Sequence, residues 1–130
     1  MLGSSKAFSG IAVKDLDEAR RFYGEALGVR VEEGDMGMLV LRLGGDRPVL
    51  LYPKPDHEPA TYTVLNFPVD DVEATVDALT ERGVTFERYE GTQTETDEKG
   101  VFRGGGPLIA WFTDPSGNVL SVIQSPGLEG

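Results

Sequence analysis

The sequence contains no cysteine. That excludes disulfides, thiolate metal sites and a cysteine nucleophile. It contains a single histidine, His57, set in the proline-rich stretch "PKPDHEP", where it reads as an ordinary solvated residue. No Ser–His–Asp arrangement can be drawn without giving His57 a place the pattern does not supply. Basic residues are scarce: 12 Lys and Arg stand against 22 Asp and Glu, for a formal charge of −10. Phosphate backbones are bound by clustered Lys and Arg, so a nucleic-acid partner is not expected. An acidic surface instead favours solubility and draws cationic ligands. No apolar run approaches the roughly 20 residues of a membrane helix, and "MLGSSKAF" lacks a signal-peptide core. A soluble, cytoplasmic protein with no membrane partner is expected. The glycine run "RGGGP" is not a phosphate loop, because no Gly-Lys-Ser/Thr follows it.

What is present is a pattern stated twice. In "AVKDLDEARRFYGEALGVRVE", Leu16, Ala19, Phe22, Tyr23, Ala26 and Leu27 fall at helical spacing. Asp15 and Glu18 have the spacing of a capping box, and Gly28 is a natural stop. Residues 7–13 and 29–33 read as strands. "MLVLRLG" and "PVLLYP" follow as two more, joined by the turn "GDRP". Halfway along, "NFPVDDVEATVDALTERGVTFER" repeats the sentence. Val13, Asp15 and Leu16 recur as Val69, Asp71 and Val72. After a one-residue deletion, Ala19, Gly28 and Val29 recur as Ala74, Gly83 and Val84. The cluster of Asp70, Asp71 and Glu73 sits where carboxylates cap a helix start. "LIAWF" and "VLSVIQ" close the second half, and matching "PVLLYP" to "NVLSVI" sets Leu51 opposite Ser121.

Each half therefore reads as strand, helix and three strands, with module one at about 6–53 and module two at about 61–124. At 130 residues the chain has the size of one domain over 1–130. Either half alone leaves its sheet poorly covered, so the two are expected to bury their concave faces together. One long element breaks the symmetry. Residues 90–107, "EGTQTETDEKGVFRGGGP", are polar and glycine-rich, and read as a binding loop or as a plain connector.

This duplicated module, with "VKDLDEARRFYGEALGV" early and "WFTDPSGNVLSVIQ" at the end, resembles the vicinal oxygen chelate superfamily over roughly residues 6–124. That group includes glyoxalase I, extradiol dioxygenases, fosfomycin-modifying enzymes and the bleomycin-resistance proteins. The resemblance implies an α+β fold in which two tandem βαβββ modules form a curved mixed β-sheet cleft. In the metalloenzymes of the group, four cleft strands supply His, Gln or Glu to a divalent metal. The first ligand lies five residues before the valine of a "V-x-D" signature, which is Phe8 here and Val64 in the repeat. The ligands of the fourth and eighth strands correspond to Leu51 and Ser121. None of these four offers an imidazole or a carboxylate. The resemblance is thus to a metal-free branch, with no metal, cofactor or catalytic residue expected.

If those four positions face the cleft, alternation brings Gly10 and Ala12, Asn66 and Pro68, Val49, Val119 and Ile123 with them. The lining is apolar with two polar points, Asn66 and Ser121, as in a small-molecule pocket. Gly10 offers room for a ligand. Trp111 on the seventh strand, Tyr52 at the end of the fourth, and Phe102 and Arg103 in the long loop complete the candidate set. The candidate ligand-binding residues are Phe8, Gly10, Leu51, Tyr52, Val64, Asn66, Phe102, Arg103, Trp111 and Ser121. Three functional readings remain. One is a metal-independent binding protein that sequesters an aromatic or cationic compound such as an antibiotic, for which the resemblance implies a homodimer. Another is a glyoxalase-like lyase, isomerase or dioxygenase with a displaced or absent metal site. A ligand-free structural or regulatory module is the third possibility.

Overall fold

The computed structural model describes residues 1–45 and 47–124. Asp46 of the expected "GDRP" turn lies outside the described residues, as does the end of the chain beyond Gln124. The fold is α+β, as the sequence predicts, with two compact units, Met1–Glu58 and the stretch from Pro59 onward. Each unit carries one four-stranded mixed sheet.

In the first unit, β1 (Ser9–Val13) is followed by α1 (Leu16–Arg21), β2 (Arg30–Glu33), β3 (Leu39–Arg42) and β4 (Val49–Pro53). The sheet order is β1-β4-β3-β2, with β1 parallel to β4 and the remaining pairs antiparallel. Asp15 caps α1, its carboxylate accepting from Asp17 N (2.8 Å) and Glu18 N (3.1 Å). The helix does not run on in α geometry to Gly28. Phe22–Ala26 widen into a π turn, closed by Leu27 N donating to Phe22 O at 3.0 Å. Ala19 and Tyr23 of the expected apolar stripe are buried.

Register decides which sheet residues they cover. Ile11 and Leu39 stand opposite Leu51, and Leu41 stands opposite Val49. Directly paired residues share a face, so these side chains form the helix-side core, and Leu41 and Leu51 are fully buried. Cutting either back to alanine is a change of about 2–5 kcal/mol.

In the second unit, β5 (Thr63–Val69), α2 (Val72–Glu81), β6 (Val101–Phe102), β7 (Ile109–Thr113) and β8 (Val119–Gln124) give the order β5-β8-β7-β6. Asp71 caps α2 through Ala74 N at 3.0 Å, as its place in the acidic cluster predicts. Val72 N also donates to Gln124 Oε1 at 2.9 Å, which ties the end of β8 to the helix start. Val72 and Val76 cover Val101, Ala110, Phe112, Leu120 and Val122, all of them buried. The β7–β8 hairpin is closed by "DPSGN". Buried Asp114 accepts from Ser116 N, Asn118 N and Asn118 Nδ2, each at 2.9 Å. Gly117 is required there twice over. Its φ is +87°, and a Cβ would stand 2.9 Å from the Pro59 ring.

The second unit departs from the repeat after α2. The segment matching β2 supplies only an isolated bridge, Phe86 to Phe112, and the outer strand is formed instead by Val101–Phe102, inside the 90–107 stretch. The cause is local. Tyr89 takes a left-handed conformation, φ +48°, and turns the chain out of the strand. The hydroxyl of buried Thr96 then donates to the carbonyls of Glu87 (2.8 Å) and Arg88 (3.1 Å), groups that a regular ladder would have satisfied. The stretch is therefore not a structureless connector, since it supplies β6 and the Thr96 turn.

Candidate functional site

The sheet of the second unit has one face under α2 and one face turned away from it. Alternation puts the odd residues of β7 and β8 on the second face. Two rows cross it. Asn66, Ser121 and Trp111 are directly paired on β5, β8 and β7; Pro68, Ile123, Ile109 and Phe102 form the next row on β5, β8, β7 and β6. The aromatics make contact. The Trp111 ring lies 5.5 Å from Tyr89 and 5.7 Å from Phe102, centroid to centroid, at tilts of 60° and 46°. Those spacings suit aromatic contact and leave an extended π surface beside two polar side chains.

The polar pair is specific. Ser121 is fully buried, and its hydroxyl donates to Asn66 Oδ1 on the neighbouring strand. A hydroxyl in the middle of an apolar strand is thereby satisfied without water. Burial pushes the Tyr89 phenol up from its ordinary value, and the charge of Glu87 adds to the shift. Tyr89 therefore meets the Trp111 ring as a neutral phenol at neutral pH.

Sequence reasoning missed Tyr89. It stands alone in "ERYEG", with no periodicity to mark it, and an aromatic at the head of a polar loop was the only available signal.

Of the other sequence-predicted residues, Phe8, Gly10, Leu51 and Tyr52 belong to the first unit and Val64 and Arg103 to the second. Phe8 is 59% exposed and precedes β1 in the first unit. Gly10 and Tyr52 also belong to the first unit, on the face of its sheet away from α1. There the Tyr52 ring lies 3.4 Å from where a Gly10 Cβ would be, so the room left by the glycine is taken by tyrosine rather than kept for a ligand. The same face ends in a charged edge, where Glu32 accepts from Arg30 and Arg42, each at 2.7 Å. Val64 sits at an irregularity in β5, between the Thr63 and Leu65 pairings.

Two assignments are corrected. Leu51 is a core residue beneath α1, on the opposite face of its sheet from Gly10. The register pairs Gly10 with Leu50 and Asn66 with Ser121, so the counterpart of Ser121 is Leu50. A slip of one residue exchanges faces. Arg103 does not reach the aromatic face. Its guanidinium bonds Glu73 on α2 and Asp97 Oδ2, the latter at 2.9 Å.

The positions that the resemblance assigns to metal ligands hold Phe8, Val64, Ser121 and, in either register, a leucine. Their only donor is the Ser121 hydroxyl, which is committed to Asn66. This set does not fit a divalent cation, which takes imidazole or carboxylate donors. Among the described residues no three His, Asp or Glu side chains gather as an alternative cation site, and no helix is long and apolar enough to cross a membrane.

Solved structures similar to this chain share the fold. TnmS3, an antibiotic-binding protein from Streptomyces sp. CB03234, is 26% identical, with a TM-score of 0.65 over 94% of this chain and 98% of that one. A bleomycin resistance determinant encoded on the transposon Tn5 is 22% identical, with a TM-score of 0.66 over 94% and 98%. A protein from Sphaerobacter thermophilus is 23% identical, with a TM-score of 0.64 over 92% and 97%. No curated protein matches the sequence. The sequence pattern of the Glyoxalase/Bleomycin resistance protein/Dioxygenase superfamily matches residues 7–122, and the chain belongs to that superfamily.

Proposed function

We propose that this protein is a metal-independent binder of a planar aromatic or cationic small molecule, such as an antibiotic, and acts by sequestration as a single-domain cytoplasmic homodimer. The observation that carries the reading is the Tyr89–Trp111–Phe102 cluster beside the Asn66–Ser121 pair on one sheet face. A planar ligand stacked on Trp111 gains about 0.5–1.5 kcal/mol beyond its buried area. A cationic one gains a further cation–π contribution of similar size. Because Asn66 Oδ1 is engaged by Ser121, Asn66 meets a ligand with its amide N–H groups, which suit a quinone or carbonyl oxygen. The antibiotic-binding TnmS3 supports the ligand class. The donor-poor positions above support metal independence, because the lyase and dioxygenase chemistry of the superfamily requires a Lewis acid.

The test is a titration with planar cations (acridines) and planar neutral quinones, read by thermal shift and by emission of the sole tryptophan. A ligand at 100 times its Kd stabilises the protein by about 2.7 kcal/mol, a shift of several degrees for a domain of this size. Quenching of Trp111 that is weakened in Phe102→Ala, and a thermal shift that is lost in Trp111→Leu, are expected. Binding indifferent to both substitutions overturns the site. Stoichiometric tight metal on which turnover depends overturns the function in favour of an enzyme.

A further inference from the structure

The aromatic face depends on an edge strand that is too short to hold itself. β6 consists of Val101 and Phe102 alone. Among the described residues its only strand partners are Ala110 and Ile109. The chain then enters Gly104-Gly105-Gly106, which supplies no side chain to fix it. Two backbone pairs do not secure a ring in one place. Yet Phe102 is set against Trp111 at 5.7 Å.

Arg103 is the next residue, and alternation directs it to the opposite face, toward α2. Nη2 donates to Glu73 Oε1 in the first turn of that helix, and Nε donates to Asp97 Oδ2. Asp97 is itself fixed by N–H groups of Lys99 and Val101, both at 2.9 Å. One guanidinium thus joins α2, the 97–101 turn and β6. On the other side of the strand the backbone folds over the ring. A Cβ at Gly104 would lie 2.5 Å from Phe102 Cε1. Phe102 is held between Trp111 and the Gly104 backbone, and Arg103, the next residue, ties the strand carrying it to α2.

We infer that Arg103, through its ion pairs with Glu73 and Asp97, is the positioning residue of the aromatic face and controls whether Phe102 covers Trp111. The consequence for ligand affinity rests on the binding function proposed above; the positioning itself does not. All three side chains are between a third and a half exposed. Pairs of this kind contribute little to global stability. Their loss therefore shows locally, at the ring contact, while the fold stays cooperative.

Trp111 is the sole tryptophan, so its emission reports this contact directly in the ligand-free protein. Acrylamide quenching is measured for wild type, Arg103→Gln, Glu73→Gln, Gly104→Ala and the reference Phe102→Ala. Arg103→Gln and Glu73→Gln are expected to raise the quenching constant by at least half the rise seen in Phe102→Ala, with a red-shifted maximum and a melting temperature close to wild type. Arg103→Lys is expected to recover part of the protection. Gly104→Ala, which leaves every ion pair in place, is expected to reproduce the red shift by displacing the ring. Arg103→Gln and Glu73→Gln that quench like wild type, while Phe102→Ala does not, overturn the inference. Failure of any acridine or quinone to bind defeats the proposed function and leaves this test standing.

Discussion

Ser121 and Asn66 form a hydrogen bond whose two ends are unequal. Ser121 is fully buried, whereas Asn66 lies on the exposed side of an outer strand. Removing the hydroxyl in Ser121→Ala leaves Asn66 free to turn to water, so the loss is that of one ordinary bond, about 0.5–1.5 kcal/mol. Removing the amide in Asn66→Ala strands a buried hydroxyl, which costs about 1–3 kcal/mol. Urea denaturation of the two variants is expected to rank Asn66→Ala as the more destabilised. The reverse order would mean that Ser121 is satisfied by another partner. The sequence alone identified both residues as the polar points of an apolar lining. It could not place Leu51, because faces on β4 follow from pairing register rather than from matched letters.

At the level of elements, the helix caps, the strands of the first unit and the last two strands were legible, because each is marked by periodicity or turn chemistry over several residues. β6 was not. A two-residue strand has no period, and its position follows from the turn at Tyr89 and the Thr96 hydroxyl, neither of which carries a sequence signature. The turn that supports β6 has a pH dependence of its own. Burial works against the Asp97 carboxylate, but hydrogen bonds from Val101 N, Arg103 and Lys99 N outweigh it and hold the carboxyl below its usual value. A carboxyl depressed in the folded state stabilises fully above its unfolded pKa of about 3.9 and stops doing so as pH falls through the folded value. Asp97→Asn lacks that contribution at every pH. The stability gap between wild type and Asp97→Asn, taken from urea midpoints, is expected to be constant from neutral pH down to about 5 and to close below about 4. A gap that does not begin to narrow as pH falls below about 4 would assign the effect to shape rather than charge.

Over the whole molecule, the feature that composition alone made visible is the charge of −10. The candidate face itself is nearly uncharged, its members being Asn66, Pro68, Ser121, Ile123, Ile109, Trp111 and the rings beside them. On the proposed binding function, selection of a cation over a neutral compound of the same shape comes from two separable sources. Stacking on Trp111 acts at contact distance and is insensitive to salt. The field of the excess carboxylates acts over a Debye length, about 8 Å at physiological ionic strength and about 3 Å at 1 M. It raises the local concentration and the association rate of cations. Stopped-flow quenching of Trp111 by an acridinium and by a neutral planar analogue distinguishes the two. Raising salt from low to about 1 M is expected to slow association of the cation severalfold and to leave its dissociation rate and the kinetics of the neutral analogue unchanged. If both compounds slow alike, the acidity serves solubility alone. Discrimination would then rest entirely on the aromatic cluster that Arg103 positions.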